Sequence, residues 1–232
     1  MKREAFTLAE VLITLGIIGV VTALTLPTLI TNIKYAEIQA SLKKNYSLIQ
    51  QALLKMNEEY GYQIDGTYKW GNVGAFKRDF SKYFQIGKDC GNAFNYNQYC
   101  FHPSTNDNKK KYRTFNGSQE ISEIIISSSI IDDGQFMTTD GSLYLFENAG
   151  GAGGIFISID TNSIKKGPNK LGHDLFTFQL TNKGKLVPMG GEGTRYTDDS
   201  LYCSKDSQSS LNGVGCTAKA LNDPNYFKNI FK

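Results

Sequence analysis

From Val11 to Ile33 the chain carries no charged side chain and is built almost entirely of Leu, Ile, Val, Thr, Ala and Gly, with one proline at Pro27. A helix through this run exceeds the ~20 residues that cross a bilayer's hydrocarbon core. The pattern then changes rather than stops. Ile38, Leu42, Tyr46, Ile49, Leu53, Met56 and Tyr60 recur at spacings of three and four with Lys, Gln, Asn and Glu between them, which predicts one apolar stripe on a water-facing helix. Gly61 supplies the usual C-terminal stop. Read as one element from Phe6 to about Tyr60, the helix would be ~80 Å long. Pro27 removes one backbone donor inside it and predicts a kink of the kind membrane helices tolerate.

Downstream, Phe76, Phe80, Tyr83 and Phe84 share a face of a short helix over Ala75–Phe84, which predicts packing over a core. From Cys90 to about Gly117 the chain is polar and reads as an exposed loop, with the run Lys109–Lys111 as a solvated tip. Strands are predicted at Ile124–Ile131, Gln135–Thr139, Ser142–Phe146, Ile155–Asp160, Leu175–Leu180 and Lys185–Val187. Asp140-Gly141 and Asn182–Gly184 are turn sequences. The glycines of 150–154 lack the G-x-x-x-x-G-K-[ST] of a phosphate loop and read as a hairpin connection. Beyond Gly190 the tail is rich in Gly, Ser and Asp, and its aromatic end, Tyr226–Phe231, is expected to dock on the sheet. Short strands joined by tight turns after a long helix predict an α+β fold: the amphipathic half of the helix packed on an antiparallel β-sheet head.

Composition narrows the partners. A net charge of +3 over 232 residues is too balanced to imply nucleic acid, and the length allows one globular domain besides the helix. Lys2 and Arg3 favour retention of the N-terminus in the cytoplasm with the rest sent across. The four cysteines fall into two close pairs, Cys90 with Cys100 and Cys203 with Cys216. In an exported domain an even count reads as disulfides; of the three possible connectivities the sequential one is preferred, because each pair brackets a polar loop. Neither pair has zinc-ligand spacing.

The start of the chain, Met1-Lys-Arg-Glu-Ala5 followed by Phe6-Thr-Leu-Ala-Glu10 and the apolar run, resembles the prepilin leader and N-terminal helix of type IV pilins and type II secretion pseudopilins. The resemblance covers about the first 30 residues. It implies that a membrane peptidase cuts between Ala5 and Phe6 and methylates the new amine of Phe6, although the family more often has Gly before the cut. It also implies that Glu10 is the family's assembly glutamate, meeting the Phe6 amine of a neighbouring subunit. The resulting division is a leader (1–5), a transmembrane and assembly helix (6–30), an amphipathic stem (31–60) and a globular α+β, pilin-like head (61–232). Gly16 and Gly19 would permit close helix approach. The implied partners are prepilin peptidase, copies of the chain or other pilins or pseudopilins, and an assembly platform with its ATPase. The implied location is the bacterial inner membrane with a periplasmic head, and a filament in the periplasm or at the cell surface.

A secretory signal peptide also starts basic and then apolar, but its apolar region is about 7 to 15 residues and ends in an A-x-A-like site, unlike this run. A carboxylate at the edge of a membrane segment is costly unless paired and is a functional candidate by default. The competing function is a membrane-anchored periplasmic binding module that never polymerises. Catalysis is not expected: the two histidines, His102 and His173, lie in loops and no nucleophile motif is present. No cofactor is expected either. Asp160, Asn162 and Asp174 surround a Gly/Pro-rich turn as oxygen ligands for calcium would, and some pseudopilins carry calcium in the corresponding region. Two lysines in that loop oppose the metal, and turn-building accounts for the same residues.

Overall fold

Helix α1 runs from Leu8 to Tyr60 and continues through Pro27 in the structure, a computed structural model that describes residues 7–72, 74–92, 100–103, 107, 111–121, 130–150 and 153–230. Pro27 cannot donate to the carbonyl of Ala23, but the surrounding residues are strong apolar helix formers and Thr25, Thr31 and Thr14 fold their hydroxyls back onto carbonyls of the preceding turn. The chain divides into two compact units between Glu37 and Ile38.

In the first unit every large apolar side chain from Leu8 to Ile33 is exposed. A helix that is apolar all round and exposes these side chains is suited to lipid or to neighbouring helices rather than water. It is long and apolar enough to cross a membrane.

In the second unit the fold is α+β, with the last part of α1 packed on a six-stranded antiparallel sheet. Its strands are β1 (Ile86–Gly91), β2 (Gly134–Thr138), β3 (Leu143–Asn148), β4 (Ile155–Asp160), β5 (Leu175–Leu180) and β6 (Leu186–Pro188), paired in sequence order. Ile38, Leu42, Asn45, Ile49, Ala52, Leu53 and Met56 of α1 are buried, and the half-buried Tyr46 stacks on Phe178 at 5.1 Å between ring centroids. Because successive residues of a strand point to opposite faces, β3 sends Tyr144 and Phe146 toward α1 and α2 (Ala75–Phe80), where Phe146 lies 5.9 Å from both Phe76 and Phe80. Leu143 and Leu145 join a second core with Phe101, Tyr112, Phe156 and Ile164. The sheet is thus covered on both faces, and all six residues of β4 and of β5 are buried.

Several elements depart from the sequence expectation. The aromatic helix ends at Phe80 and tightens into a 3₁₀ turn over Ser81–Tyr83. Strand β1 was not expected: its sequence is charged and glycine-rich, only Cys90 is fully buried, and its pairing with β2 is interrupted by register shifts, all common at a sheet edge that must not pair further. The strand expected at Ile124–Ile131 lies mostly outside the described residues, and its last two positions, Ile130 and Ile131, form a buried turn. Of the lysine run, 109 and 110 lie outside the described residues, while Lys111 pairs with Glu120 at 2.9 Å instead of standing free in solvent. The tail contains three short helices, α3 (Asp199–Tyr202), α4 (Thr217–Asn222) and α5 (Tyr226–Ile230), each too short to show a period in sequence. Phe227 of α5 meets Phe176 edge-on at 5.9 Å, and Tyr226 donates its hydroxyl to the Gly172 carbonyl at 2.7 Å.

Candidate functional site

Thr7 and Glu10 open α1 as a reciprocal pair. Thr7 N–H and its hydroxyl donate to Glu10 Oε2 at 2.8 and 2.9 Å, and Glu10 N–H donates to Thr7 Oγ1 at 3.2 Å. This is a capping box, in which two otherwise unpaired backbone donors of the first turn are satisfied by each other's side chains. The signal, T-x-x-E before an apolar run, is present in the sequence and gives Glu10 a capping role beside the membrane-edge and assembly roles set out above. Both residues are exposed, so the second carboxylate oxygen can meet a partner from outside. Ala5 and Phe6, the expected cleavage and methylation residues, lie outside the described residues. Side-chain atoms added at Gly16 or Gly19 would meet nothing within 4 Å, leaving two bare backbone patches on the exposed apolar helix.

In the second unit a polar contact fastens α1 to the sheet. Asn45, fully buried, accepts the Tyr144 hydroxyl at 2.6 Å and donates to the Ser41 carbonyl at 2.9 Å and the Ser142 hydroxyl at 3.2 Å. Ser41 in turn donates to the Thr161 carbonyl at 2.8 Å. Asn45 occupies a core position that apolar periodicity assigns to a hydrophobe, so pattern reading passed over it.

The structure joins Cys90 to Cys100 and Cys203 to Cys216, with Cα separations of 6.0 and 5.0 Å. Cys90 and Cys100 lie in the second core of the sheet, beside the loop that Gln135 clamps by accepting from Phe101 N–H at 2.9 Å and donating to the Phe101 carbonyl at 2.8 Å. The Cys203–Cys216 bridge ties the turn after α3 to the start of α4.

The carboxylates of Asp160 and Asp174, weighed above as calcium ligands, are used within the fold, whereas the Asn162 amide oxygen is buried without a hydrogen-bond partner. Asp160 accepts from the Tyr112 hydroxyl at 2.8 Å and from Asn162 N–H at 3.1 Å, while Asp174 accepts from Asn169 N–H and Lys170 N–H, each at 2.8 Å. Asn162 donates to the Gly167 carbonyl at 2.9 Å. Burial, and then the charge of Asp174, hold the Asp160 carboxyl above the usual carboxylate range. His173 is buried beneath Phe115 and donates from Nε2 to the Phe115 carbonyl at 3.0 Å. Burial pushes its pKa down to about 4, with the nearby charge of Lys170 acting the same way, so the ring is neutral at neutral pH.

A group that sequence reading did not single out is Asp132, Asp133 and Glu147, whose carboxylates come together where the chain enters β2 and where β3 ends. Burial, reinforced by the two aspartates, pushes Glu147 up to about 10. Spacing along the chain gives no hint of it, because the pairing of β2 with β3 creates the cluster. Comparison of the chain with protein-family models, with curated proteins and with solved structures finds no match.

Proposed function

We propose that the chain is a structural subunit of a type IV pilus-like filament or a type II secretion pseudopilus. Prepilin peptidase would remove residues 1–5 and methylate Phe6, and the subunit would wait in the inner membrane with its disulfide-bonded unit in the periplasm. An assembly platform and its ATPase would then bring it together with copies of itself or with related subunits. The observation that carries this reading is the first turn and apolar surface of α1: a helix exposed on every side from Leu8 to Ile33, with one carboxylate, Glu10, at its start. Such a surface fits first lipid and then the equivalent helices of neighbours, where Gly16 and Gly19 allow close approach. A new amine at Phe6 of one subunit would supply the charge partner that Glu10 of the next requires. Two disulfides and no free cysteine fit an oxidising compartment.

The capping box favours a second reading, because it gives Glu10 a partner without any neighbour. On that reading the chain is an anchored periplasmic module that does not polymerise. Mass spectrometry of the N-terminus of the membrane-extracted protein separates the two. N-methyl-Phe6 as the first residue is expected for the filament subunit; an intact Met1 or a cut beyond Phe6 overturns it.

A further inference from the structure

We propose that Asp132, Asp133 and Glu147, with the side-chain amide oxygen of Asn148, form a binding site for a hard divalent cation, calcium, at the seam between β2 and β3. The site does not depend on the filament reading and is separate from the loop holding Asp160 and Asp174.

Its frame is the sheet itself. Gly134 pairs with Phe146 in the β2–β3 ladder, which places the two aspartates just before β2 beside the two residues that end β3. Asp133 N–H donates to the Phe146 carbonyl at 3.0 Å, and Asn148 N–H donates to Asp133 Oδ2 at 2.7 Å. Backbone bonds thus fix Asp133 beside the end of β3.

Two observations beyond the acidic grouping point to an occupant. Glu147 is only 8% exposed, and its Oε2 is buried without a hydrogen-bond partner. A buried carboxylate oxygen left bare is strongly unfavourable. Asn148 Oδ1, a neutral oxygen of the kind calcium accepts, is likewise buried without a partner. Asp133, Glu147 and Asn148 border a cavity of about 10 Å³, the space of a single small occupant, whose other walls are Gly74, Phe76, Phe146, Ile155 and Lys77 and which Asp132 does not line. The lysine beside it does not neutralise the group: the stem of Lys77 lines the cavity, but its ammonium pairs with Asp89.

The donor set narrows the choice of ion. All the ligand atoms are oxygens, which suits calcium or magnesium and not zinc or copper. One oxygen from each carboxylate lies within 4.8 Å of the others. At calcium–oxygen distances of about 2.3–2.6 Å, ligands on opposite sides of the ion stand ~5 Å apart, whereas magnesium demands a tighter octahedron at about 2.0–2.1 Å. Oxygens spread over no more than 4.8 Å can share one calcium ion, whose variable geometry suits a mixed carboxylate and amide set, and the half-buried Asp132 and Asp133 leave room for water to complete the shell.

The test uses the full chain in detergent, stripped with EGTA and titrated at fixed pH with CaCl₂, and in parallel with MgCl₂. Radioactive calcium in equilibrium dialysis gives the stoichiometry, and thermal unfolding gives the linked stabilisation. Expected are saturable binding of calcium and a rise in Tm of roughly 5 °C or more at a hundredfold excess over Kd. Glu147→Gln should abolish both while melting in EGTA close to the temperature of the parent, since the amide has the size and the neutral charge of the protonated acid. Asp132→Asn, at a half-exposed position, should weaken binding at least tenfold with the fold unchanged. Absence of saturable binding overturns the proposal, as does undiminished binding by both variants; in either case the cluster is neutralised by a proton shared between carboxylates. An equal response to magnesium overturns the assignment to calcium.

Discussion

The hydroxyl of Tyr144 on β3 donates to Oδ1 of Asn45 on α1 at 2.6 Å, and both residues are fully buried. A satisfied polar pair between two elements fixes how they register, because sliding either would leave a donor and an acceptor bare. Tyr144→Phe should therefore lower stability by about 1–3 kcal/mol. The Asn45→Leu/Tyr144→Phe double variant should lose less than the sum of the singles. Urea unfolding with an unchanged m-value checks both; strictly additive losses would show that the pair is not coupled.

Glu10 has two separable roles, cap and charge. Glu10→Gln keeps a side chain able to complete the capping box but removes the charge, whereas Thr7→Val removes the cap and keeps the carboxylate. If filament assembly uses the charge, Glu10→Gln and Glu10→Ala should both be processed at Ala5–Phe6 and both be poorly recovered in sheared filaments, with Thr7→Val closer to the parent. Recovery of Glu10→Gln at parental levels would assign Glu10 to helix capping alone. Ala5→Asp should leave an unassembled, longer precursor on a gel.

His173 makes stability depend on pH in a defined direction. Its folded pKa of about 4 lies below the ordinary value of about 6.5, so the unfolded chain takes up a proton that the folded chain refuses. Above pH ~6.5 the residue is neutral in both states and contributes no slope. As pH falls from there toward 4, stability should drop by up to ~1.4 kcal/mol per unit. His173→Gln should flatten this part of the profile. Denaturant midpoints measured from pH 7.5 to 4.5 for the two proteins give the difference directly.

Gly190 and Gly193 both have positive φ, at 92° and 84°, yet a side chain at Gly190 would begin 1.9 Å from the Gly215 carbonyl oxygen and one at Gly193 would meet nothing within 4 Å. Gly193→Ala should cost only the left-handed backbone strain, about 1–2 kcal/mol. Gly190→Ala adds a backbone clash beside the Cys203–Cys216 bridge and should lose more than ~3 kcal/mol. Equal melting temperatures for the two variants would show that the 190–215 approach relaxes at no cost.

Features that follow from local pattern are legible in the order of the amino acids alone. The uninterrupted apolar run dictates a helix able to cross a membrane, and the three-and-four spacing from Ile38 to Met56 dictates the face that is buried against a sheet. Alternation and turn residues give β2 to β6 nearly to the residue, since Asp140-Gly141 and Asn182–Gly184 fit only tight connections. The T-x-x-E cap was equally local and legible. The remaining features depend on contacts between distant positions. Strand β1 exists because β2 offers it a ladder, not because Ile86-Gly-Lys-Asp-Cys-Gly91 prefers to be extended. Asn45 is a core residue because Tyr144, 99 positions away, supplies its partner. Asp132, Asp133 and Glu147 are neighbours only because the β2–β3 register folds the chain back on itself, and a site made by pairing leaves no trace in spacing.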